Sequence, residues 1–264
     1  MPELAEVEVV RRNLEKWWVG RRADDVCLID DDLVDDADEL ADVLRRPLHA
    51  ARRRGKYLSC HFDGPVLVFH FRMTGKIICA DCPNPDYARC SWHIPRVGWL
   101  VFKDQRRLGS LRRMSTDEFH NYAPLEAMGP EPEDVTVEDI RGACTGRRLL
   151  KTALLDQSIV AGVGNIAISE VFWRVQLAPD IKCGQLKERD WDHLIRVLPD
   201  YFDEIIEASM SDEIDYIEEG AGDSPFQIYG RAGQSCPRCG GDIEKTRVGG
   251  RSSYFCNSCQ SSTR

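Results

Sequence analysis

Two pairs of cysteines near the C-terminus constrain this sequence more than any other feature. Cys236 and Cys239 form one C-x2-C pair, Cys256 and Cys259 form a second, and 16 residues separate the pairs. Four thiolates with this spacing can surround one tetrahedral zinc ion, and nearby Gly-Gly pairs supply the turns that such a module needs. The sequence therefore predicts a closed, structural zinc site that staples a hairpin and does no chemistry itself.

A second cysteine group leaves another metal site open. Cys79, Cys82, Cys90 and His93 follow a C-x2-C…C-x2-H pattern. If residues 88–94 form a strand, Cys90 and His93 lie on opposite faces, because successive side chains of a strand alternate. Small buried thiols beside a loop are therefore the favoured interpretation, and one structural Zn²⁺ is the expected cofactor.

The charge of the chain is segregated, and this matters more than its net value of −9. Three stretches, 24–39, 117–139 and 203–223, contain 26 of the 44 acidic residues and no lysine or arginine. Basic residues cluster elsewhere, for example over 45–56, and the segment 226–264 has six bases against two acids. Separate basic clusters fit one phosphate-binding face, with the acidic stretches on the far side.

No part of the sequence resembles a membrane span or a secretion signal. The longest apolar runs fall far short of the roughly 18 residues that a spanning helix needs. Acidic residues at positions 3 and 6 stand where a signal peptide would be basic and then apolar. We therefore expect a cytoplasmic protein with reduced thiols and no membrane partner.

Hydrophobic periodicity predicts an α+β protein of three parts. Apolar residues at helical spacing predict a helix over 5–18, and short β-branched or aromatic runs predict strands over 57–62, 66–71 and 99–102. Prolines over 122–132 predict a linker, and 134–220 is predicted to be helical, including a helix over 190–208. The expected domains are a β-sandwich with a leading helix at 1–120, a linker at 121–135, a helical domain at 136–221 and a zinc-finger module at 222–264.

The segment from Leu154 to Ile166 is the most informative stretch of the helical part. A helix runs into a Gly162-Val163-Gly164-Asn165 turn, and a second helix opens near Ile166. Glycines let a backbone approach a ligand closely, and a helix N-terminus offers free N–H groups to a phosphate. A tight helix–helix turn with no ligand is the alternative interpretation.

At this point a set of ordered motifs resembles the formamidopyrimidine-DNA glycosylase (Fpg/MutM) family. Each motif alone is weak, but the set follows the order of that family from residue 1 to about 260. The helical turn resembles the helix–two-turn–helix of the family. The other motifs are Met1–Glu8, Arg54–Leu58, Arg72–Gly75, Asp104–Gly109, Met128–Pro132, Ile228–Arg231 and the four-cysteine finger.

The resemblance implies an enzyme that removes a damaged base and then nicks the abasic strand. Its nucleophile would be the amine of Pro2 after removal of Met1, and Glu3 would be the acid that protonates the sugar ring oxygen or the leaving group. Lys56 matches the basic residue that assists β-elimination, and Arg251 matches the arginine that clamps the lesion phosphates and is linked to δ-elimination. An α-amine has a pKa near 8, so about a tenth of it is nucleophilic at pH 7.

The resemblance also implies how damaged double-stranded DNA is held. A base must leave the stack before chemistry can reach it, and side chains fill the gap. Met73, Arg106 and Leu108 fall on the three intercalating positions, with Arg106 facing the orphaned base and Leu108 as the wedge. Glu6 matches an acid near the lesion pocket. Phosphate-contacting positions are matched by His70, Arg107, Arg147, Lys151 and Asn165.

Several residues depart from the family pattern around the damaged base. Ala5 replaces a second proline, Leu108 a phenylalanine, Ala167 a tyrosine, and Tyr87 a histidine; the stretch 209–227 is shorter and more acidic than the base-capping loop of the family. The leading hypothesis is a monomeric, nucleoid-associated glycosylase/AP lyase for oxidised purines such as 8-oxoguanine and formamidopyrimidines. The alternatives are an endonuclease VIII-like preference for oxidised pyrimidines and a non-catalytic lesion-binding protein.

Overall fold

The computed structural model describes residues 2–210 and 225–260, and these divide into two compact units. The first unit contains the described residues up to Glu126, and the second contains Ala127–Ala208 with the C-terminal segment 225–260. Most of the expected base-capping stretch and the expected 221/222 boundary lie outside the described residues, as does Met1.

The first unit is a β-sandwich with a leading helix, as predicted. Its sheets have the strand orders β1-β6-β7-β5 and β2-β3-β4-β8, and all neighbours are antiparallel. Its elements are α1 (Leu4–Trp17), β1 (Asp25–Leu28), α2 (Ala37–Leu44), β2 (Ala50–Arg54), β3 (Tyr57–His61), β4 (Val66–His70), β5 (Lys76–Ala80), β6 (Ala88–Ile94), β7 (Gly98–Lys103), β8 (Ser110–Met114), α3 (Thr116–His120) and α4 (Ala123–Glu126).

Aromatic residues fill the space between the two sheets. Phe69 of β4 and Phe102 of β7 meet edge to face with ring centroids 5.6 Å apart, and Phe69 also lies 6.5 Å from Trp92 of β6. Trp18, just after α1, packs on Trp92 at 4.9 Å. All four side chains are fully buried, and each contributes about 1.5–3 kcal/mol of hydrophobic stabilisation or more.

The leading helix forms where its apolar spacing predicts it. Val7, Val10, Leu14 and Trp17 are buried, and they recur at the three- and four-residue intervals of one helical face. That face packs on the sandwich, chiefly on β2. The helix therefore holds the N-terminal residues against the sheet that contains β2 and β3.

Four strands of this unit were not predicted, namely β1, β2, β5 and β8. The first was missed because it lies in an acidic stretch. β1 contains a single acid, Asp25, and pairs antiparallel with β6 at the edge of its sheet. Its residues are half-buried or exposed, so their hydrophobic pattern is weak. Pairing with β6, more than 60 residues later in the sequence, forms this strand.

The second unit joins a helical region to the cysteine-rich hairpin. Thr136 and Asp139 form the predicted capping box at the start of the first helix of this unit. The helices are α5 (Val137–Ala143), α6 (Leu150–Leu154), α7 (Asn165–Arg174) and α8 (Glu188–Ala208), followed by β9 (Ile243–Val248) and β10 (Arg251–Cys256). In the described part of the chain, no helix is both long and apolar enough to cross a membrane.

Candidate functional site

The residues at the start of α1 are held in a defined arrangement. Pro2 and Glu3 are buried, and Glu3 is only 3% exposed. The backbone N–H of Glu3 donates to Oε2 of Glu6 at 2.8 Å, the reach-back bond of a helix capping box. The cap fixes the direction in which the chain enters the helix, and therefore the position of Pro2 and Glu3.

Two carboxyl groups lie close together at this end of the helix. Burial raises the pKa of Glu6, and the negative charge of Glu3 raises it further. Like charges in a partly dry site favour retention of a proton on one member of the pair. The carboxyl group of Glu6 therefore holds its proton more tightly than an exposed glutamate does.

The predicted basic residue Lys56 lies at the tip of the β2–β3 hairpin. Arg54 pairs with Tyr57, so Gly55 and Lys56 form a two-residue turn. Gly55 has φ +53°, and a glycine in the first central position is typical of a type II′ hairpin turn. The sequence Gly-Lys therefore places the lysine at a rigid, defined tip.

An ionic cluster attaches this hairpin to α1. Glu8 of the helix accepts from Arg11 and Arg12 at 2.9–3.0 Å, and Nε of Arg53 lies 3.4 Å from its Oε2. These arginine contacts lower the pKa of Glu8 against the opposing effect of burial, so the carboxylate stays charged. Arg53 is three residues before Lys56, and the cluster therefore joins the helix of Pro2 and Glu3 to the hairpin of Lys56.

His70 lies beside this hairpin and is neutral at pH 7. Its ring centroid is 4.4 Å from that of Tyr57, its neighbour across the β3–β4 ladder. Burial, followed by the positive charges of Arg72 and Lys56, lowers the pKa of His70 to about 4. His70 can therefore offer a hydrogen bond to a phosphate but no full charge.

Two loops of the first unit present the predicted intercalating residues. Met73 lies in the β4–β5 turn and is 36% exposed, and Leu108 lies in the β7–β8 loop and is 49% exposed. Arg106 and Arg107 of the same loop are exposed as well. Large apolar side chains with this exposure are uncommon in this protein, and they suit a surface that meets a partner.

Asp104, which the sequence reading did not single out, ties these two loops together. It is 2% exposed, and its carboxylate accepts from the backbone N–H of Gly109 at 2.6 Å and of Arg106 at 3.2 Å. It also accepts a short hydrogen bond from the Thr74 hydroxyl, and Thr74 follows Met73 directly. The backbone N–H of Arg106 lies 3.1 Å from that same hydroxyl oxygen. One buried carboxylate thus sets the relative position of both loops.

The glycine turn before α7 is braced by Gln157. Its side-chain oxygen accepts from the N–H of Gly162 at 2.9 Å, and its side-chain nitrogen donates to the carbonyl of Val163 at 2.9 Å. Gly164 is the N-cap of α7 and Asn165 its first residue, so the predicted turn and second helix are confirmed. Two predicted phosphate contacts belong to this part of the chain. The buried Oδ1 of Asn165 has no hydrogen-bond partner among the described residues, and Arg147 is exposed at the surface.

Lys151, one of the predicted phosphate contacts, is buried in the structure. Lys151 is only 1% exposed, and its ammonium donates to the carbonyl of Ser252 at 2.8 Å and to the hydroxyl of Ser253. A buried ammonium needs such hydrogen bonds, because burial without them is very costly. Lys151 therefore holds the strand that begins at Arg251, and its contact with phosphate stays a prediction.

Arg251 lies at the tip of the cysteine hairpin. Val248 pairs with Arg251, and the intervening Gly249 and Gly250 have φ +58° and +78°. Two consecutive positive φ values are typical of a type I′ turn, which glycine alone adopts without strain. The turn and Lys151 together hold the exposed Arg251 in a fixed place.

A buried carboxylate anchors the chain where it enters the cysteine module. Glu170 of α7 is fully buried and accepts backbone N–H groups from Gln227, Ile228 and Tyr229 at 2.8–2.9 Å. Burial raises the pKa of Glu170, and the three hydrogen bonds oppose this effect. The sequence reading did not identify Glu170, because its partners lie 57 to 59 residues away.

The four predicted cysteines form one metal-binding group. Their sulfur atoms all lie within 4.8 Å of one another, with Cys236 to Cys259 at 3.9 Å and Cys239 to Cys256 at 3.4 Å. A tetrahedral zinc ion with Zn–S bonds of about 2.3 Å separates its sulfurs by about 3.8 Å. The sulfur positions fit such an ion, so the predicted structural zinc site is confirmed.

The surroundings of one of the four sulfurs, that of Cys236, favour thiolate, whereas burial raises the pKa of Cys256 and of Cys259. Burial opposes ionisation of Cys236, but backbone N–H groups of Arg238 and Cys239 and the indole N–H of Trp173 lower its pKa to about 6. The Trp173 nitrogen lies 3.4 Å from the sulfur. Trp173 belongs to α7, so the helix and the metal module share one packed core.

Replacing Cys256 with serine is expected to reduce bound zinc from about one ion per chain to near zero. Cys256 is fully buried, and serine offers a poor ligand in a site built for four thiolates. DNA binding should fall with zinc content, since the module that presents Arg251 folds around the ion. Elemental analysis and a DNA-binding titration measure both effects. Cys82→Ser, at an exposed cysteine, is the matched control, and unchanged zinc in Cys256→Ser would contradict the assignment.

The second cysteine group does not come together. Among the described residues, Cys236, Cys239, Cys256 and Cys259 are the one group of three or more metal-ligand side chains with converging atoms. Cys90 is fully buried, and Nδ1 of His93 lies 2.7 Å from a carboxylate oxygen of Asp24. β6 contains both residues, at positions of opposite parity, as the strand interpretation expects.

Comparisons with known proteins match the chain along its length. Residues 1–111 match the formamidopyrimidine-DNA glycosylase N-terminal domain, residues 127–214 its H2TH domain, and residues 233–261 the zinc finger found in FPG and IleRS. Formamidopyrimidine-DNA glycosylase of Streptococcus mutans is 33% identical over 98% of this chain and 99% of its own.

Solved structures agree with these sequence matches. A complex between Lactococcus lactis Fpg and abasic-site DNA has a TM-score of 0.86 and 32% identity, covering 98% of this chain and 100% of its own. A complex between Lactococcus lactis Fpg and DNA containing Fapy-dG has a TM-score of 0.85 and 31% identity with the same coverage.

Proposed function

The chain belongs to the formamidopyrimidine-DNA glycosylase family, and from this premise we propose that Pro2 is its nucleophile and Glu3 its acid. The protein is a DNA glycosylase of base excision repair, and we propose that it has AP lyase activity at the same site. Its substrate is damaged double-stranded DNA, and Lys56 and Arg251 assist the two elimination steps. These roles rest on the resemblance of the motifs and on the placement of each residue described above.

The contact between Glu8 and Arg53 is the observation that carries this proposal. It attaches the β2–β3 hairpin to α1, and each of these elements presents a residue of the proposed machinery at its end. Pro2 and Glu3 precede the first turn of the helix, and Lys56 occupies the tip of the hairpin. A half-buried ionic cluster at this place supports a site that must hold an amine, an acid and a base in fixed relative positions.

The proposed chemistry follows from the bonds that must break. The amine of Pro2 attacks the sugar C1′, and the bond between C1′ and the damaged base breaks with its electron pair going to the base. Protonation of the ring oxygen or of the leaving group by Glu3 makes that departure possible. The amine then loses its proton and the C1′–O4′ bond of the sugar ring breaks, with its electron pair and a proton going to O4′. Because the amine is secondary, the product is a cationic iminium, which acidifies the C2′ protons. Removal of a C2′ proton then expels the 3′ phosphate, and a second elimination releases the 5′ phosphate.

The exposed loops supply the parts that a base-flipping enzyme needs. Met73 and Leu108 would fill the space that the extruded nucleotide leaves, and Arg106 would face the orphaned base. Their exposure and their common anchor at Asp104 support this assignment. The proposed phosphate contacts are His70, Arg107, Arg147, Lys151 and Asn165, with Glu6 near the lesion pocket.

We propose oxidised purines, such as 8-oxoguanine and formamidopyrimidines, as the preferred lesions. The similar Lactococcus lactis protein has been solved with DNA containing Fapy-dG, which supports this class. The protein would act as a monomer in the cytoplasm, associated with the nucleoid through DNA. A zinc site built from reduced thiolates supports a reducing compartment. The functional domains would be 1–120, 136–221 and 222–264, with a linker at 121–135.

Borohydride trapping on a panel of DNA duplexes tests the proposed function. The duplexes contain 8-oxoguanine, a formamidopyrimidine, an oxidised pyrimidine or an abasic site, and borohydride reduces the iminium to a stable crosslink. We expect crosslinks with the oxidised purines and the abasic site, and a weaker one with the oxidised pyrimidine. Crosslinking only to the oxidised pyrimidine and the abasic site would support the endonuclease VIII-like alternative. Binding without any crosslink would support a lesion-binding protein and contradict the proposed chemistry.

A further inference from the structure

A buried arginine lies beneath the loop that presents Arg106 and Leu108. Arg89 of β6 is 5% exposed, and its Nη1 donates to the carbonyl of Gly109 at 2.8 Å. The N–H of Gly109 donates to Asp104 at 2.6 Å. Both backbone groups of Gly109, which closes the loop, are therefore held by buried charged side chains.

The partner of Arg89 comes from the first acidic stretch. Nε of Arg89 donates to Oδ2 of Asp30 at 2.6 Å, and the backbone N–H groups of Ile29 and Asp30 donate to the carbonyl of Arg89 at 3.0 and 2.9 Å. Asp30 is 5% exposed, so the expectation that this acidic stretch lies on a far, solvated side is wrong for this residue. Burial opposes ionisation, but the hydrogen bond and charge of Arg89 lower the pKa of Asp30 overall.

The same carboxylate also reaches the exposed side of the loop. Nε of Arg107 lies 3.7 Å from Oδ2 of Asp30, and the Arg107 side chain is 63% exposed. Arg107 has φ +51°, a left-handed conformation that a non-glycine residue adopts only when its surroundings impose it. Asp30 thus contacts both the buried arginine and the residue at the turn of the loop.

A closed set of contacts follows from these distances. Asp30 holds Arg89, Arg89 holds the carbonyl of Gly109, and Asp104 holds the N–H of Gly109 together with that of Arg106. Oδ2 of Asp104 lies 4.0 Å from Nη1 of Arg89, which completes the ionic group. A Cβ at position 109 would meet Asp104 at 2.9 Å and Phe102 at 3.0 Å, so the loop packs closely on these two residues and leaves no room there for a side chain.

We propose that Asp30 and Arg89 form a positioning pair that sets how strictly the enzyme discriminates the base opposite the lesion. This inference rests on the proposed function, because it acts through Arg106. A side chain that reads a base edge must be placed within a fraction of an ångström, and the pair fixes the backbone on which Arg106 sits. A buried ion pair often adds little to the free energy of unfolding, because removing two charges from water is costly. Fixing the position of the loop is a role that can explain why this pair is buried.

The test compares Arg89→Lys with the wild-type enzyme. Lysine keeps the positive charge, but it cannot donate to Asp30 and Gly109 at once in the geometry of a guanidinium fork. Excision of 8-oxoguanine opposite cytosine and opposite adenine is measured under single-turnover conditions, and the ratio of the two rates is compared. We expect the ratio to shift about tenfold towards one, with nicking of an abasic duplex within about twofold of wild type.

Two further variants separate positioning from folding. Arg113→Lys is the matched control, because Arg113 pairs with Glu39 at 2.9 Å on the surface of the same unit and should keep the wild-type ratio. Arg106→Ala should bring the ratio of the two excision rates close to one. Adding Arg89→Lys to Arg106→Ala should change that ratio by less than about twofold. Such non-additivity is expected only when one residue acts through the other. If Arg89→Lys fails to fold, Asp30→Asn carries the same comparison.

The outcomes distinguish the inference from the function on which it rests. If Arg106→Ala loses discrimination while Arg89→Lys and Asp30→Asn keep it, the pair has no positioning role. If Arg106→Ala keeps the discrimination, Arg106 does not read the opposite base, and the inference, which acts through Arg106, is wrong as well. Affinities for duplexes with a tetrahydrofuran abasic analogue opposite each base give the same ratio without catalysis. Absence of excision in the wild type would overturn the proposed function. The ratio of affinities for the tetrahydrofuran duplexes would still test the inference, because it can be compared between wild type and Arg89→Lys without catalysis.

Discussion

A chain whose Pro2 nitrogen is locked in a peptide bond is expected to form no borohydride-trapped crosslink with damaged DNA. A short N-terminal extension that resists removal leaves every side chain in place but converts the secondary amine into an amide. An amide nitrogen has no available electron pair, so attack on C1′ should fall by at least about 10³-fold. Trapping yield and single-turnover excision measure the loss.

A second variant tests whether the enzyme needs a secondary amine or any terminal amine. Pro2→Ala, with Met1 removed, keeps a terminal amine but makes it primary. The imine that a primary amine forms is cationic only when protonated, so elimination should slow by about ten- to a hundredfold without disappearing. Equal binding to a tetrahydrofuran duplex is the control for both proteins. Wild-type trapping by the extended chain would place the nucleophile on another residue, with Lys56 as the first candidate.

Glu3→Gln is expected to slow base excision by about 10²- to 10⁴-fold while nicking of a preformed abasic site falls much less. Excision expels a base that must be protonated as it leaves, or a ring oxygen that must be protonated as the sugar opens. Glutamine has the shape of glutamate, so the buried site at the start of α1 keeps its packing, but it has no acidic proton to donate. Paired assays on 8-oxoguanine and abasic duplexes measure the difference.

Controls on the same helix make this result specific. Glu15→Gln changes an exposed carboxylate of α1 and should leave both rates unchanged. Equal losses on both substrates would indicate that Glu3 acts on a step common to the two reactions. Unchanged excision would move the acid to Glu6, whose pKa is raised by burial and by the charge of Glu3. Glu6→Gln would then show the large loss in excision.

Features that depend on residues close in sequence were predictable. The zinc ligands come in two C-x2-C pairs, and each pair needs only a short turn to present two sulfurs. The leading helix follows from apolar residues at helical intervals, and the Gly-Lys and Gly-Gly turns follow from the φ values that glycine allows. In each case neighbouring residues contain all the information, so a single sequence suffices.

Features that depend on distant partners were not predictable. Lys151 matches a phosphate-contacting position of the family, but its hydrogen bonds to Ser252 and Ser253, about 100 residues later, could not be read from the sequence. Asp30 looked like part of a solvated acidic run, but its partner Arg89 is 59 residues away. A sequence does not show whether a charged side chain faces water or pairs with an opposite charge in the interior. Only the tertiary structure distinguishes these two environments.

Residue spacing and side-chain type were enough to predict the zinc site, the leading helix, the α+β class and, through the ordered motifs, the family. Two anchors became visible only in the folded chain. Asp104 joins the Met73 turn to the Arg106 loop, and Glu170 anchors the entry to the metal module. Hydrogen bonds and ion pairs of this kind, between distant segments, form only after the sheets and helices have brought those segments together.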